Sequence, residues 1–386
     1  MTHRGGRGGP RRRIEAALGL TAIAAALMVH GPTGADNTPP KGTEKPRAWT
    51  FEELLAPPSS AEVDAVDREW ATVSRAADSV TRTSTTRVVI GGHWFDVRFI
   101  THRVTGPLHC GAVLVPSGAT QRSLPAIVDV PSVRWDYNTR NISEGPYLMT
   151  RILESEARRF VFIVPCLRGN ALEMNGTYLR AEGDRRDAWQ GAAQDAMTFL
   201  TAALVDTSEI DPDRITVYGY SRGGGVALLV GERDPRIRAV LAFAAPTDWF
   251  KSMKRGTTWP QDLQAASVDP DLRPSTLASQ FLDWFVRDRN HLPLSGLRQR
   301  ILASSPLYFA GRLPVTQVHQ GEDDPAVPVQ NATALRDALQ TSGKVRSEVY
   351  LYPGKGHLLD GTAAMATARA FLLKEMHGIQ PPVPSR

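Results

Sequence analysis

The spacing of apolar side chains changes character along the chain, and each change predicts a different kind of element. Over residues 59–80 they recur at steps of three and four, which is the period of an amphipathic helix. Ser59 and Glu62 add a capping-box pattern, which is typical of a helix start. The apolar positions are Val63, Val66, Trp70, Val73, Ala77 and Val80. We therefore expect an N-terminal helical extension over residues 49–84.

From about residue 85 the pattern changes to short apolar runs. Two of them, 86–90 and 94–100, flank Gly91 and Gly92, and this arrangement predicts a tight β-hairpin. Further runs have the length and apolar content of strands. They span residues 110–115, 126–130, 160–165, 214–218, 239–244, 315–319 and 347–352. Helical patterns separate the later runs, most clearly at 186–204, so we expect a mixed sheet with helices on both faces.

Residues 246–312 interrupt this alternation of strands and helices. The segment contains three tryptophans, several prolines and many charged residues. Such an excursion between two core strands predicts a cap over the strand ends. Its tryptophans could line a substrate pocket, although aromatics of this kind more often form the small core of the cap itself.

The first 48 residues have a composition of their own. Three arginines at 11–13 precede an apolar stretch of 14 residues, 16–29, and small residues follow at 33–35. Fourteen residues are fewer than the roughly 20 that span a bilayer. We therefore predict a cleaved signal peptide over 1–35 and a secreted or cell-envelope (periplasmic) protein with no stable membrane span after its removal. An uncleaved N-terminal anchor is the alternative. Residues 36–48 are polar and proline-rich, as in a disordered linker.

The positive charge of the chain belongs mostly to this leader. The formal net charge is +5, and residues 1–35 contain five arginines against one glutamate. The remaining chain is therefore close to neutral, and we infer no nucleic-acid partner. With 42% hydrophobic and 22% charged residues, the composition is that of an ordinary globular protein.

The strongest chemical signal is Gly-Tyr-Ser-Arg-Gly at 219–223. A strand-like run precedes it, and the small, apolar residues 224–230 that follow have helix character. A strand, a G-x-S-x-G and a helix together predict a nucleophile elbow, in which the hydroxyl of Ser221 projects from a sharp turn. Serine is a weak nucleophile at neutral pH, so it needs a general base that is itself oriented by an acid.

An acid and a histidine follow in suitable places. Asp323 and Asp324 come just after the strand that ends at His319, and His357 comes just after the last predicted strand. The order Ser, Asp, His along the chain is that of α/β-hydrolases. Asp324 is the predicted acid. Asp323 is the alternative, and Asp248 is a more distant one.

Several motifs together resemble the catalytic domain of the prolyl oligopeptidase family over about residues 95–378. They are Pro-Cys-Leu-Arg-Gly at 165–169, Asp-Pro-Asp-Arg-Ile at 211–215, Gly-Tyr-Ser-Arg-Gly-Gly at 219–224, Gly-x-x-Asp-x-x-Val-Pro at 321–328 and Gly-x-Gly-His at 354–357. The resemblance implies an α/β-hydrolase domain over 85–380, with a mostly parallel eight-stranded sheet and a cap (246–312) after the sixth strand. It also implies that Ser221 is the nucleophile, His357 the base and Asp324 the acid.

The oxyanion hole of such a site takes one backbone N–H from the residue after the nucleophile, Arg222, and one from the loop after the third strand of the eight. Pro131 in that loop has no N–H, so Ser132 or Val133 is the expected second donor. This loop departs from the family's usual turn, which leaves substrate preference open. Nearby aromatic residues are candidates for substrate binding, and they are Trp135, Tyr137, Tyr220 and Trp249.

The resemblance also bears on the two cysteines. It implies that the second strand of the eight runs antiparallel beside the fourth. Cys110 begins the second of these strands and Cys166 ends the fourth. In an exported chain this adjacency predicts a Cys110–Cys166 disulfide.

These patterns favour a serine hydrolase that cleaves a peptide or ester bond through an acyl-enzyme, with a short peptide or small ester as substrate. A carboxylesterase, or an acyltransferase, without peptidase activity is the alternative. Larger prolyl oligopeptidase relatives carry a β-propeller that screens peptides, and the roughly 50 residues ahead of the hydrolase body are too few for one. A non-catalytic binding protein is disfavoured because no triad residue is missing. No metal or cofactor is predicted, and the sequence makes no prediction of oligomeric state.

Overall fold

The computed structural model describes residues 49–120, 122–132, 139–185, 187–251, 291–359 and 362–377. The predicted signal peptide and linker at 1–48 lie outside the described residues, as do 252–290 of the predicted cap.

Within the described residues, nine strands form one large sheet in the order β1-β2-β3-β6-β4-β9-β10-β11-β12. Their bounds are β1 (Asp78–Ile90), β2 (His93–Arg103), β3 (Leu108–Pro116), β4 (Leu124–Val130), β6 (Val161–Cys166), β9 (Ile210–Tyr220), β10 (Ile237–Phe243), β11 (Val315–Gly321) and β12 (Glu348–Tyr352). A small sheet joins β5 (Thr139–Asn141), β7 (Ala171–Met174) and β8 (Thr177–Arg180). From β6 to β12 all neighbours are parallel, whereas β1, β2, β3 and β6 pair antiparallel. The predicted mostly parallel sheet is therefore confirmed.

The large sheet has one strand more than the eight that the family resemblance implies. The additional strand is β1, which pairs with β2 in the predicted hairpin. Gly91 (φ 55°) and Gly92 (φ 83°) form its turn, where a residue with a Cβ would be strained.

The N-terminal helix is shorter than predicted. Helix α1 (Phe51–Leu54) and helix α2 (Ser60–Thr72) come first, and the Ser59–Glu62 capping box is present at the start of α2. The helix ends at Thr72, and β1 begins at Asp78. The run from Ser79 to Thr86 is rich in threonine, and β-branched residues favour a strand that pairs along β2 over further helical turns.

Helices cover both faces of the sheet, as predicted. The remaining helices are α3 (Glu144–Leu153), α4 (Gln190–Asp206), α5 (Arg222–Arg233), α6 (Leu294–Ala303), α7 (Gln330–Thr341) and α8 (Thr362–His377), with 3-10 segments at Glu154–Arg159 and Pro306–Arg312. One core cluster holds apolar residues of α2, α4, α5, α6 and α7, and a second one holds those of α3 and α8. The sheet thus lies between two apolar layers, which bury its central strands.

The described part of the predicted cap packs into the core. Leu297 and Ile301 of α6 are fully buried, and Arg298 forms an ion pair with Glu62 of α2 at 2.6 Å. Hydrogen bonding to Arg298 is the main factor that lowers the pKa of Glu62 to about 2. Because 252–290 lie outside the described residues, a cap over the strand ends stays a prediction.

The two cysteines lie directly opposite each other. Cys110 of β3 is the ladder partner of Cys166 of β6, as expected from the antiparallel adjacency. Both are buried free thiols in this structure, and a hydrogen bond with Cys166, together with burial, raises the pKa of the Cys110 thiol. The disulfide therefore stays a prediction that this adjacency permits.

None of the helices described above combines the length and the apolar content needed to cross a membrane.

Candidate active site

The nucleophile elbow lies between β9 and α5. Ser221 has φ 56° and ψ −124°, a strained conformation for a residue with a side chain. Its backbone N–H donates to the carbonyl of Phe243 on the neighbouring strand at 2.8 Å. A Cβ on Gly219 would lie 2.0 Å from the carbonyl oxygen of Gly223, and a Cβ on Gly223 would lie 2.4 Å from that of Val130. The two glycines are therefore required for the turn to close.

His357 lies between Ser221 and Asp324. Its Nε2 is 2.9 Å from Ser221 Oγ, and its Nδ1 is 2.8 Å from Asp324 Oδ2. The three side chains come from the loops that follow β9, β11 and β12. Because these strands are parallel, their carboxyl ends meet at one edge of the sheet, which brings together residues 136 positions apart in the chain.

Asp324 is held by several donors. Its Oδ1 accepts the backbone N–H groups of Ala326 and Val327 at 2.8 and 2.9 Å. Its Oδ2 accepts Gln320 Nε2 at 3.0 Å beside His357. Burial by itself would raise the pKa of Asp324, but the hydrogen bonds from His357 and the backbone outweigh it and hold the pKa below the usual value. The carboxylate is thus kept ionised next to the imidazole.

The alternative acids lie elsewhere. Asp323 is exposed to solvent, and its backbone N–H donates to Lys355. Asp248 accepts the Tyr308 hydroxyl at 3.1 Å and the backbone N–H of Lys251 at 3.2 Å. Of the three predicted candidates, Asp324 is the one in contact with His357.

The hydroxyl of Tyr220 contacts the loop that contains His357. Its hydroxyl donates to the carbonyl oxygen of His357 at 2.6 Å and accepts the backbone N–H of Leu359 at 2.8 Å. Its ring stacks on Phe243 with centroids 5.6 Å apart. These contacts join the residue before the nucleophile to the loop that carries the base. They give Tyr220 a positioning contact, and its predicted role in substrate binding stays a prediction.

The predicted oxyanion residues are described in part. Arg222 begins α5, so its backbone N–H belongs to the helix N-terminus, where unpaired donors favour negative charge. Ser132 is half-buried in the loop after β4, whereas Val133 lies outside the described residues. The Arg222 side chain is buried, and its guanidinium donates to the carbonyl oxygens of Pro131 and Ala188.

The structure describes one of the other three predicted substrate residues. Trp135 and Tyr137 lie outside the described residues. Trp249 is buried, and its ring lies 4.6 Å from that of Trp189, which makes it part of a local aromatic core. Because Trp189 lies outside 246–312, this contact ties the beginning of the predicted cap to the main domain, and a small core within the cap itself stays a prediction.

Two features of the site have no counterpart in the sequence analysis. Gln320 donates to Asp324 and to the carbonyl of Val327 at 2.9 Å, so it holds the acid loop closed. Leu358, next to His357, is 71% exposed and offers an apolar surface beside the base. In the sequence, Gln320 and Leu358 are marked only by being close to Asp324 and His357, two predicted catalytic residues. Over the described ranges, no group of three or more His, Cys, Asp or Glu side chains is arranged to hold a metal ion.

Fold and site together define an α/β-hydrolase. Residues 143–279 match the model of the prolyl oligopeptidase family, a stretch that contains the elbow. This match and the fold support a serine hydrolase, and the resemblance read from the motifs is confirmed. No curated protein matches the chain.

Solved structures share the fold at low sequence identity. Acetyl xylan esterase 1 from Thermoanaerobacterium sp. JW/SL YS485 has a TM-score of 0.53 at 17% identity, over 84% of this chain and 98% of the esterase. The puromycin-hydrolyzing peptidase of Mycobacterium tuberculosis has a TM-score of 0.51 at 19% identity, over 77% of this chain and 41% of the peptidase. The acylaminoacyl peptidase of Pyrococcus horikoshii has a TM-score of 0.51 at 15% identity, over 75% of this chain and 43% of the peptidase. The chain thus spans less than half of each peptidase and nearly all of the esterase.

Proposed function

We propose that this protein is an exported serine hydrolase that cleaves an ester or peptide bond through an acyl-enzyme formed on Ser221. The observation that carries the proposal is the His357 imidazole, which lies 2.9 Å from the serine oxygen and 2.8 Å from the Asp324 carboxylate. Both distances are those of direct hydrogen bonds. Export rests on the leader-like residues 1–35.

Asp324 determines which imidazole nitrogen acts. Its ionised carboxylate accepts the Nδ1–H of His357, so the lone pair of the neutral ring is on Nε2, facing the serine hydroxyl. In the acylation step, Ser221 Oγ attacks the substrate carbonyl carbon while its proton passes to Nε2. The carboxylate then stabilises the imidazolium that forms.

The remaining steps follow from the same geometry. The backbone N–H groups of Arg222 and Ser132 donate to the tetrahedral oxyanion. The imidazolium returns its proton to the leaving alcohol or amine, which departs and leaves an ester on Ser221. Water then loses a proton to Nε2 and attacks this ester, and collapse of the second tetrahedral intermediate releases the acid and regenerates the hydroxyl.

Ester cleavage without peptidase activity is the second candidate. It is supported by the likeness to acetyl xylan esterase 1, which is matched over 98% of its own length, against 41% and 43% for the two peptidases. The exposed, apolar Leu358 beside the base is compatible with a small acyl or alkoxy group. Both candidates use the same triad, so substrate assays decide between them.

The test combines active-site labelling with a substrate panel. A fluorophosphonate probe should label the wild-type protein at Ser221, as mapped by mass spectrometry, and should not label the Ser221→Ala variant. p-Nitrophenyl acyl esters are assayed beside aminoacyl-p-nitroanilides, with product analysis for transfer to added alcohols. Turnover of esters alone would support the esterase. Absence of both labelling and turnover in folded protein would refute the proposed function.

A further inference from the structure

The Arg222 side chain takes no part in the proposed reaction, although Arg222 is the residue after Ser221. It directly follows the nucleophile, but it turns inward and is only 6% exposed. Its guanidinium donates to two backbone carbonyls, Ala188 through Nη1 and Pro131 through Nη2, both at 3.3 Å. Burial, and to a smaller extent repulsion from the nearby Arg140, lowers its pKa to about 10. Burying a cation whose hydrogen bonds go only to backbone carbonyls costs free energy, so the placement of this side chain calls for an explanation.

One of these partners belongs to the peptide unit that carries the N–H of Ser132, one of the two predicted second oxyanion donors. The carbonyl of Pro131 and the N–H of Ser132 are parts of the same planar unit. In a trans peptide the carbonyl and the N–H point in opposite directions. When Arg222 holds the Pro131 carbonyl on its own side, the Ser132 N–H must therefore point away from the guanidinium. The hydrogen bond thus determines the direction of this N–H.

The strands on both sides of this loop make contacts of their own. The carbonyl of Val130 lies against Gly223, close enough that a Cβ there would collide with it. Beyond the loop, Arg140 of β5 forms an ion pair at 3.2 Å with Asp129, a fully buried residue near the end of β4. The described residues on either side of 133–138 thus contact the helix that follows Ser221 and strand β4, respectively.

We propose that Arg222 is a positioning residue whose side chain clamps the loop after β4 and aims the Ser132 N–H at the oxyanion. One residue then serves the site twice, through its backbone N–H as a donor and through its side chain as the support of the second donor. This inference rests on the proposed function, because it assigns no reaction of its own.

The test measures ester hydrolysis by Arg222→Gln and by a matched control, Arg233→Gln. Arg233 lies on the same helix and is equally buried, and within the described part of the chain its guanidinium donates to the carbonyl of Gln190 at 3.1 Å and to Gln194, not to Pro131. Removing an oxyanion donor costs about 10²- to 10³-fold in kcat, so a misaimed donor in Arg222→Gln should cost about 10- to 100-fold with KM little changed. Arg233→Gln should lower the melting temperature but keep kcat. Arg222→Lys should recover part of kcat, because an ammonium reaches only one of the two carbonyls.

A double-mutant cycle of Arg222→Gln with Ser132→Pro, which removes the N–H of residue 132, measures the coupling between the Arg222 side chain and this N–H. If Arg222 acts through this N–H, Arg222→Gln should slow the Ser132→Pro variant no further. Equal kcat values for Arg222→Gln and Arg233→Gln, additive effects in the cycle, or an unchanged kcat in Ser132→Pro would each overturn the inference. If Arg222→Gln does not fold, Arg222→Lys and the cycle built on it give the same comparison. Failure of the proposed function would look different from failure of this inference. In that case the wild-type protein would be inactive, and its activity would equal that of Ser221→Ala.

Discussion

Two histidines near the ends of neighbouring strands, His357 after β12 and His319 in β11, have opposite environments. His357 is partly exposed and contacts a carboxylate on one side and a hydroxyl on the other. His319 is fully buried, stacks on Phe243 at 4.4 Å and bonds to neutral groups, the Tyr352 hydroxyl and the Gln317 amide oxygen. Burial lowers the pKa of His319 to about 3, which keeps it neutral. The comparison teaches that a carboxylate partner and access to substrate, rather than position at a strand end, make a histidine a candidate base.

The largest difference in kcat is expected between variants of His357 and variants of His319. His357→Ala removes the general base, so kcat for ester hydrolysis should fall about 10⁴-fold or more. His319→Phe retains the aromatic stack and should keep kcat close to wild type, while the loss of the hydrogen bonds to the Tyr352 hydroxyl and the Gln317 amide oxygen should cost about 1–3 kcal/mol of stability. Kinetics and thermal unfolding of both variants test this. A large loss of kcat in folded His319→Phe would contradict the division of roles.

The carboxylate partner should have nearly as large an effect. Asp324→Asn keeps the shape but favours the wrong imidazole tautomer, so kcat should fall about 10³- to 10⁴-fold. Asp323→Asn changes an exposed neighbour and serves as the control. If the two variants lost activity equally, or Asp323→Asn lost more, the assignment of the acid would be wrong.

A smaller effect is expected from the support of the histidine loop. Tyr220→Phe removes both hydrogen bonds to that loop, and the looser imidazole should lower kcat about 10-fold. Tyr218→Phe is the matched control, because its buried hydroxyl has no partner among the described residues. Equal kcat values for the two variants would show that the hydroxyl of Tyr220 does not position the base.

The smallest effect concerns pH and stability. His319, with a folded pKa of about 3, and His102, whose pKa burial lowers to about 4, both stay neutral in the folded state. Unfolded histidines take up a proton near pH 6.5, so between that value and the folded pKa values the unfolded state binds more protons. Each group therefore adds stability above pH 6.5 that is lost as the pH falls, at about 1.4 kcal/mol per pH unit. Denaturant unfolding from pH 7 to 4.5 should show a flatter dependence in His319→Phe, and an equal slope in both proteins would contradict this.

The chemistry of the site was visible in the sequence to a large extent. Gly219 and Gly223 mark the elbow because only glycine fits where a Cβ would meet backbone atoms. Ser221, Asp324 and His357 each follow a strand of the parallel part of the sheet, so their loops meet at one edge. The nine apolar runs correspond to the nine strands of the large sheet in the described part of the chain.

Other features depended on contacts between distant residues. The helix stripe continues past Thr72 in the sequence, but pairing with β2 makes residues 78–90 a strand. No sequence pattern indicated that the Tyr220 hydroxyl contacts a loop more than 130 residues further along the chain. Nothing in the local pattern separates these outcomes.

Local sequence was thus enough to predict the strands and the elbow, because periodicity and glycine placement act over a few neighbouring residues, and the motifs were enough to nominate Ser221, Asp324 and His357 as a triad. Only the tertiary structure showed that Asp324, and not the neighbouring Asp323, contacts His357, and that the Arg222 guanidinium turns toward Pro131. The physical reason is that a hydrogen bond forms only between groups within about 3 Å of each other. Which groups from remote segments come that close depends on how the loops pack, and a shift of one residue or a side-chain rotation changes the partner.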